Sequence, residues 1–219
     1  MEFNDLLDLV GEEPVFNSAL LMAGDVNPRL MRQQLSRWVK SGKVYQLRRG
    51  LYALAPPYQK CKPHPFLVAN YLQKGSYVSL QSAMAHYSLI PEVTYVTTSV
   101  SHGRPERVET PLGVFEFRHV KQELLFGYEL QDLGGQSAFI ATPEKALLDL
   151  IYLQPGGDAE AYLAELRLQN LDQLNSERLQ VYAERFNMLK MRKAAERLMD
   201  MIEREKSMYE EVWKNILPA

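Results

Sequence analysis

A helix that is apolar on one side and basic on the other is predicted between Asn27 and Gly42. Asn27 is a good N-cap, Pro28 suits the first helical position, and Gly42 suits the end of the helix. At about 100° per residue, the apolar residues gather on one side. They are Met31, Leu35, Trp38 and Val39. Basic and hydrogen-bonding residues gather on the other side, namely Arg29, Arg32, Gln33, Ser36, Arg37 and Lys40.

Two short apolar strands are predicted directly after this helix, on either side of an Arg48-Arg49-Gly50 turn. A basic helix followed by a basic-tipped hairpin is the layout of a winged helix-turn-helix, in which the helix enters the major groove and the wing contacts DNA beside it. Amphipathic patterns before Asn27 predict two further helices, at 2–10 and 18–23. Residues 1–57 are therefore predicted to form a DNA-binding domain. Its predicted core is Leu6, Leu7, Val10, Leu20, Leu21, Leu35, Trp38, Val39, Val44, Leu47 and Leu51.

A proline-rich break at 56–62 separates this domain from a second one, predicted over 62–219. Residues 62–154 are predicted to be mixed α/β. The expected helices lie at 66–74, 79–88 and 143–153, and the expected strands at 94–100, 113–120 and 137–141. Residues 158–219 are predicted to be a helical extension, with helices at 158–169, 176–187 and 189–213. The predicted fold class is thus α+β.

Charge is distributed unevenly along the chain. No Asp or Glu occurs from Val26 to Pro91, where there are ten Lys or Arg residues. From Glu92 onward, there are 15 basic and 21 acidic residues. A cationic field concentrated in this way indicates that the first part of the chain meets a polyanion.

Double-stranded DNA is the partner that this pattern favours. Arginine pairs bidentately with guanine, and glutamine does so with adenine. We therefore expect base-edge contacts from the first turns of the basic helix, by Arg29, Arg32, Gln33, Ser36 and Arg37. The remaining cations, Lys40, Lys43, Arg48 and Arg49, are expected to contact phosphate, which positions a protein without reading sequence.

No catalytic site, metal site or cofactor is predicted. The four histidines are scattered, and the pair Cys61 and His64 has no second pair to complete four zinc ligands. Neither a secretory signal nor the ~18 continuous apolar residues of a membrane span is present. The single cysteine excludes an internal disulfide and fits a reducing, cytoplasmic location.

Two alternatives stay open at this point. Glu116 on a predicted strand, with Glu144 and Lys145 at a helix start, is similar to the cores of metal-dependent restriction nucleases, although Arg118 stands where a lysine is expected. The second domain could then be an active or a degenerate nuclease. It could also sense a small molecule, as in a one-component regulator.

Three segments in order resemble the abortive-infection AbiEi-type antitoxins: RWVKSGKVYQLRRGLYAL, SLQSAMAHYSLIPE and ATPEKALLDLIYL. The resemblance extends from about Phe3 to about Trp213. It implies an N-terminal winged helix that binds inverted repeats upstream of its own operon and represses it. It also implies a C-terminal domain that counteracts a partner toxin of the nucleotidyltransferase type. The matching DNA-contacting positions are Arg29, Arg32, Gln33, Arg37, Arg48 and Arg49.

Overall fold

The computed structural model describes residues 1–22 and 27–216, with the backbone alone described over 209–216. This part of the chain has an α+β fold. Its helices are α1 (Phe3–Val10), α2 (Pro28–Lys40), α3 (Pro65–Leu72), α4 (Leu80–His86), α5 (Pro143–Leu153), α6 (Glu160–Glu165), α7 (Ser176–Arg185) and α8 (Leu189–Ile216). Its strands are β1 (Phe16–Asn17), β2 (Val44–Arg48), β3 (Leu51–Leu54), β4 (Tyr77–Val78), β5 (Val96–Ser101), β6 (Glu106–Thr110), β7 (Gly113–His119), β8 (Tyr128–Asp132) and β9 (Ser137–Ala141).

The N-terminal elements form a small layer of helices on an antiparallel sheet in the order β1-β3-β2. Every side chain of the central strand β3 is buried, as expected for its continuous apolar sequence. A separate apolar cluster lies between this sheet and the helices α1 and α2. Its buried members are Leu6, Val10, Phe16, Leu21, Met31, Leu35, Trp38, Val44, Tyr52 and Leu54.

The second sheet has six strands in the order β6-β7-β5-β4-β9-β8. The pairs β5–β7 and β4–β9 are parallel and the other pairs are antiparallel, so the sheet is mixed. Helices α3, α4 and α5 pack on this sheet, and α7 and α8 pack in turn on α5. One large core joins these layers, and it includes four residues of the N-terminal part: Val15, Leu47, Leu51 and Ala53.

The predicted second helix, at 18–23, is wrong. Phe16 and Asn17 instead form β1, which pairs with β3, and a single 3₁₀ turn follows at Leu20–Met22. The pairing stacks the Phe16 ring on that of Tyr52, with their centroids 5.9 Å apart and their planes inclined by 25°. Leu20, predicted to be in the core, is 42% exposed. The last residue of the predicted helix lies outside the described residues.

Three strands of the larger sheet were not predicted: β4, β6 and β8. Strand β4 has two residues, and β6 and β8 lie at the two edges of the sheet, where they carry many polar side chains. The helix expected at 158–169 is shorter, since α6 covers only Glu160–Glu165. The other predicted helices and strands form, with boundaries shifted by a few residues. Across the described ranges, no helix is both long enough and apolar enough to cross a membrane.

Candidate nucleic-acid interface

Helix α2 begins as its sequence predicts. The Asn27 side chain caps the helix, because its Oδ1 accepts hydrogen bonds from the backbone N–H groups of Arg29 (2.9 Å) and Leu30 (3.4 Å). Pro28 occupies the first turn, where no N–H group is needed. The apolar face is held against the small core by Met31, Leu35 and Trp38, all buried. The orientation of α2 is therefore fixed by packing.

The opposite face of α2 is exposed over its whole length. All six predicted residues on it are solvent-accessible: Arg29, Arg32, Gln33, Ser36, Arg37 and Lys40. Among the side chains of residues 1–22 and 27–208, none of its four cations forms an ion pair with a carboxylate. Helix geometry thus brings these side chains together on one face of a 13-residue helix. Such a helix is roughly 20 Å long, and its diameter of about 10–12 Å with side chains fits a major groove about 12 Å wide.

The hairpin residues are placed differently from one another. Arg49, in the β2–β3 turn, is exposed. Its neighbour Arg48 is held by the end of α3 and by β6, since Nη1 donates to the Leu72 carbonyl at 2.5 Å and Nη2 pairs with Glu106. Lys43 is half-buried, with Nζ 4.6 Å from the centroid of the Phe3 ring. Of the predicted phosphate contacts, Arg49 and Lys40 point to solvent, and Arg48 and Lys43 already have partners within the chain.

A second set of polar groups lies inside the larger core, where α5 packs on the six-stranded sheet. The carboxylate of Asp149 accepts hydrogen bonds from Tyr77 Oη and Ser79 Oγ, both at 2.9 Å, and pairs with the ammonium of Lys145. Burial lowers the pKa of Lys145, and the charge of Asp149 opposes that shift. Burial also raises the pKa of the Tyr77 hydroxyl far above its ordinary value, and Asp149 adds to that effect. These groups satisfy one another within the core.

The Lys145 ammonium also lies over three aromatic rings, with Nζ 4.7 Å from the centroid of Phe126, 5.0 Å from Phe186 and 5.5 Å from Tyr77. A desolvated cation over aromatic faces gains favourable electrostatic energy. The spacing of Lys145 and Asp149 at i and i+4 was the one sequence signal for this cluster. The aromatic partners come from distant segments and had no such signal.

The carboxylates suggested for a nuclease are held by arginines. Glu144 is fully buried, and its two oxygens accept hydrogen bonds from Arg178 at 2.8 and 3.0 Å. Glu116 lies 3.4 Å from Arg118 and 4.0 Å from Arg107. In the part of the chain that the structure describes, no group of three His, Cys, Asp or Glu side chains is placed to hold a metal ion. Among the described residues, both carboxylates are thus engaged by arginine side chains.

Comparison with models of known protein families finds no match, and no curated protein matches the sequence significantly.

Proposed function

We propose that this chain is a sequence-specific DNA-binding transcriptional repressor. The observation that carries the proposal is the exposed, cationic, hydrogen-bonding face of α2, which lies opposite a packed apolar face. Arginine and glutamine on such a helix can each make two hydrogen bonds to a base edge, which gives discrimination worth about 1–3 kcal/mol per pair. The antiparallel hairpin that follows α2 supports a winged helix-turn-helix as the DNA-binding module.

The proposed contacts are divided by what each side chain is free to do. Arg29, Arg32, Gln33, Ser36 and Arg37 are assigned to base edges, and Lys40 and Arg49 to phosphates. Lys43 and Arg48 receive a lesser role, because the Phe3 ring and Glu106 already engage them. Recognition of the DNA base sequence is therefore assigned to α2, and the hairpin supplies a supporting contact.

We further propose that the chain is the antitoxin of a toxin–antitoxin pair and acts in the cytoplasm. This part rests on the resemblance of the three segments to AbiEi-type antitoxins. The second segment forms α4 with its flanking residues, and the third forms α5. The partner is expected to be a nucleotidyltransferase-type toxin encoded next to it. Repression would then act on the operon of the pair through inverted repeats.

A reporter assay tests the repressor proposal. The DNA upstream of this chain's own gene is fused to a reporter, and the chain is supplied from a second promoter. We expect the native chain to repress the reporter and the double variant Arg32→Ala with Arg37→Ala to lose repression. The matched control is Arg192→Ala with Lys193→Ala, which removes two exposed positive charges from α8. Equal repression by both double variants would contradict the assignment of α2.

Growth rescue tests the antitoxin proposal separately. The expected partner, a nucleotidyltransferase-like gene next to this one, is expressed with or without this chain, and growth is measured. We expect rescue by the native chain and also by the Arg32→Ala, Arg37→Ala variant, because the DNA-contacting face is not the predicted antitoxin part. A neighbouring gene whose toxicity is unaffected by this chain would refute the antitoxin role and leave the repressor role standing.

A further inference from the structure

Strand β8 forms an open edge of the six-stranded sheet, and its outward backbone groups can be identified. At the two ends of its pairing with β9, Thr142 N–H donates to the Gly127 carbonyl (2.8 Å) and Leu133 N–H donates to the Gln136 carbonyl (2.6 Å). In an antiparallel ladder without a bulge, alternate residues point their N–H and C=O groups to the same side. The groups of Tyr128, Leu130 and Asp132 therefore point away from β9. Within the described ranges, no backbone group pairs with them.

Apolar side chains surround this open edge. Leu130 is 61% exposed, and Phe139, its direct partner on β9, is 43% exposed. With Tyr71 and Tyr128, both also exposed, they line a groove of about 380 Å³ between β8 and the end of α3. Exposed large apolar side chains gathered beside unpaired backbone groups are the signature of a strand that accepts another strand.

The opposite edge of the same sheet, strand β6, is protected against pairing with another chain. On β6, Glu106 pairs with Arg48, and Arg107 lies 3.5 Å from Glu109. Charged side chains on an edge strand discourage pairing with another chain. Strand β8 carries Glu129 and Asp132, but it has no proline, lysine or bulge, and its central residue Leu130 is exposed. The central residue of β6, Val108, is half-buried, and its neighbours form ion pairs. The two edges thus differ in how much apolar side chain they expose to a second strand.

We propose that β8 is a self-association edge that pairs antiparallel with β8 of a second copy of this chain. A two-fold axis at Leu130 places Leu130 opposite itself, Tyr128 opposite Asp132, and Glu129 opposite Gln131. All the outward N–H and C=O groups of the three residues then find partners, and no like charges lie directly opposite each other. An axis at Glu129 would oppose two glutamates, so the sequence favours the Leu130 register. The result is one continuous twelve-stranded sheet across a symmetric dimer.

The side chain of Gln131, on the face of β8 opposite to Leu130, is compatible with this arrangement. Gln131 lies on the other side of the strand, where Nε2 donates to Tyr87 Oη at 2.5 Å and Oε1 lies 3.2 Å from His86 Nε2. These contacts anchor β8 to the end of α4 and hold its edge in place. A strand held in position loses little conformational freedom when a second copy pairs with it.

Sedimentation velocity over a concentration series tests the proposal without DNA. We expect the native chain to show a concentration-dependent dimer and Leu130→Lys to remain a monomer, since the substitution sets two ammonium groups opposite each other. The matched control is Val181→Lys, which adds the same charge at a half-exposed apolar position on α7. Circular dichroism and thermal melting of each variant verify that it is folded.

Cross-linking tests the register. In a Cys61→Ser background, Leu130→Cys is oxidised, and Thr110→Cys on β6 serves as the control. Opposed residues in a hydrogen-bonded antiparallel pair have Cα atoms about 5.5 Å apart, within the range of a disulfide. We expect a covalent dimer from Leu130→Cys only. A native chain that is monomeric at all soluble concentrations, or a dimer that survives Leu130→Lys, would overturn the proposal and leave the DNA-binding proposal untouched.

Discussion

Asp149 joins three polar partners inside the larger core. It is fully buried and accepts hydrogen bonds from two hydroxyl groups while it neutralises Lys145. A buried ion pair is costly to assemble, but it is more costly to break on one side only, because the remaining charge stays in a low-dielectric environment.

We predict that Asp149→Ala lowers the free energy of unfolding by about 3–5 kcal/mol, because it leaves the Lys145 ammonium buried without its counter-charge. Urea denaturation followed by circular dichroism measures this change. The control is Asp200→Ala, at an exposed position of α8, where a change within about 0.5 kcal/mol is expected. A similar small loss in both variants would show that Lys145 is already neutral or hydrated in the native chain.

Because of Tyr77, the free energy of unfolding is expected to fall as the pH becomes alkaline. Burial and the Asp149 charge raise the pKa of its hydroxyl above the unfolded value of 10.0. As the pH rises past that value, the unfolded chain loses the proton and the native chain keeps it, so the free energy of unfolding falls. Tyr52, Tyr87 and Tyr162 are shifted in the same direction.

We predict that Tyr77→Phe is less stable than the native chain near neutral pH by about 1–3 kcal/mol, because Asp149 loses a hydrogen-bond donor. Above pH ~10, however, its stability should fall less steeply with pH, because the Tyr77 contribution to proton linkage is gone. Urea titrations at a series of pH values from neutral to alkaline measure both effects. Parallel pH profiles for the two proteins would contradict the placement of the Tyr77 hydroxyl.

At the scale of elements, α2 and α5 were predictable because their signals are local. In both helices a capping side chain and a proline in the first turn lie within one segment, and α2 adds a helical apolar period. Strand β1 was missed because it has two residues and exists through its pairing with β3, which is distant in sequence. Edge strands such as β6 carry exposed charges and therefore show no apolar alternation.

The candidate nucleic-acid interface also has a part that the sequence predicts and a part that it does not. The exposed face of α2 follows from its period alone, so the side chains predicted there are found there. The engagement of Arg48 could not be predicted, because its partner Glu106 is 58 residues further along the chain. Two adjacent arginines in one turn therefore have different surroundings, and only the fold distinguishes them.

This difference predicts distinct effects of the two arginines on DNA binding. We expect Arg49→Ala to reduce the slope of log affinity against log salt concentration by about 0.9, the value for one lost phosphate contact. Arg48→Ala should leave that slope unchanged, because Glu106 and the Leu72 carbonyl hold its guanidinium. Fluorescence anisotropy at several salt concentrations gives both slopes. Equal reductions would mean that Arg48 leaves Glu106 when DNA binds.

At the scale of the whole molecule, the N-terminal part and the larger sheet share buried surface. Val15, Leu47, Leu51 and Ala53 belong to the large core, and Arg48 adds an ion pair across to β6. The charge distribution of the sequence, which separates a basic part from an acidic one, does not reveal this shared core.

We therefore predict that the chain unfolds in one cooperative transition. In a Trp213→Phe background, Trp38 is the only tryptophan, and its fluorescence reports on the N-terminal cluster. Its urea midpoint should coincide with that of the far-ultraviolet circular dichroism, which reports on all the helices and strands. A lower midpoint for Trp38 would show that the N-terminal part unfolds independently.

Helix α2 is proposed to recognise the base sequence of DNA with its exposed face. The most direct measurement is the affinity of the native chain and of the Arg32→Ala, Arg37→Ala variant for operator DNA and for a scrambled duplex, at one salt concentration. We expect the variant to lose roughly 30-fold or more in affinity for the operator, since each lost base contact costs about 1–3 kcal/mol. Its preference for operator over scrambled DNA should fall with that loss, while Arg192→Ala with Lys193→Ala keeps the native preference. An unchanged preference in the Arg32→Ala, Arg37→Ala variant would contradict the assignment of base recognition to α2.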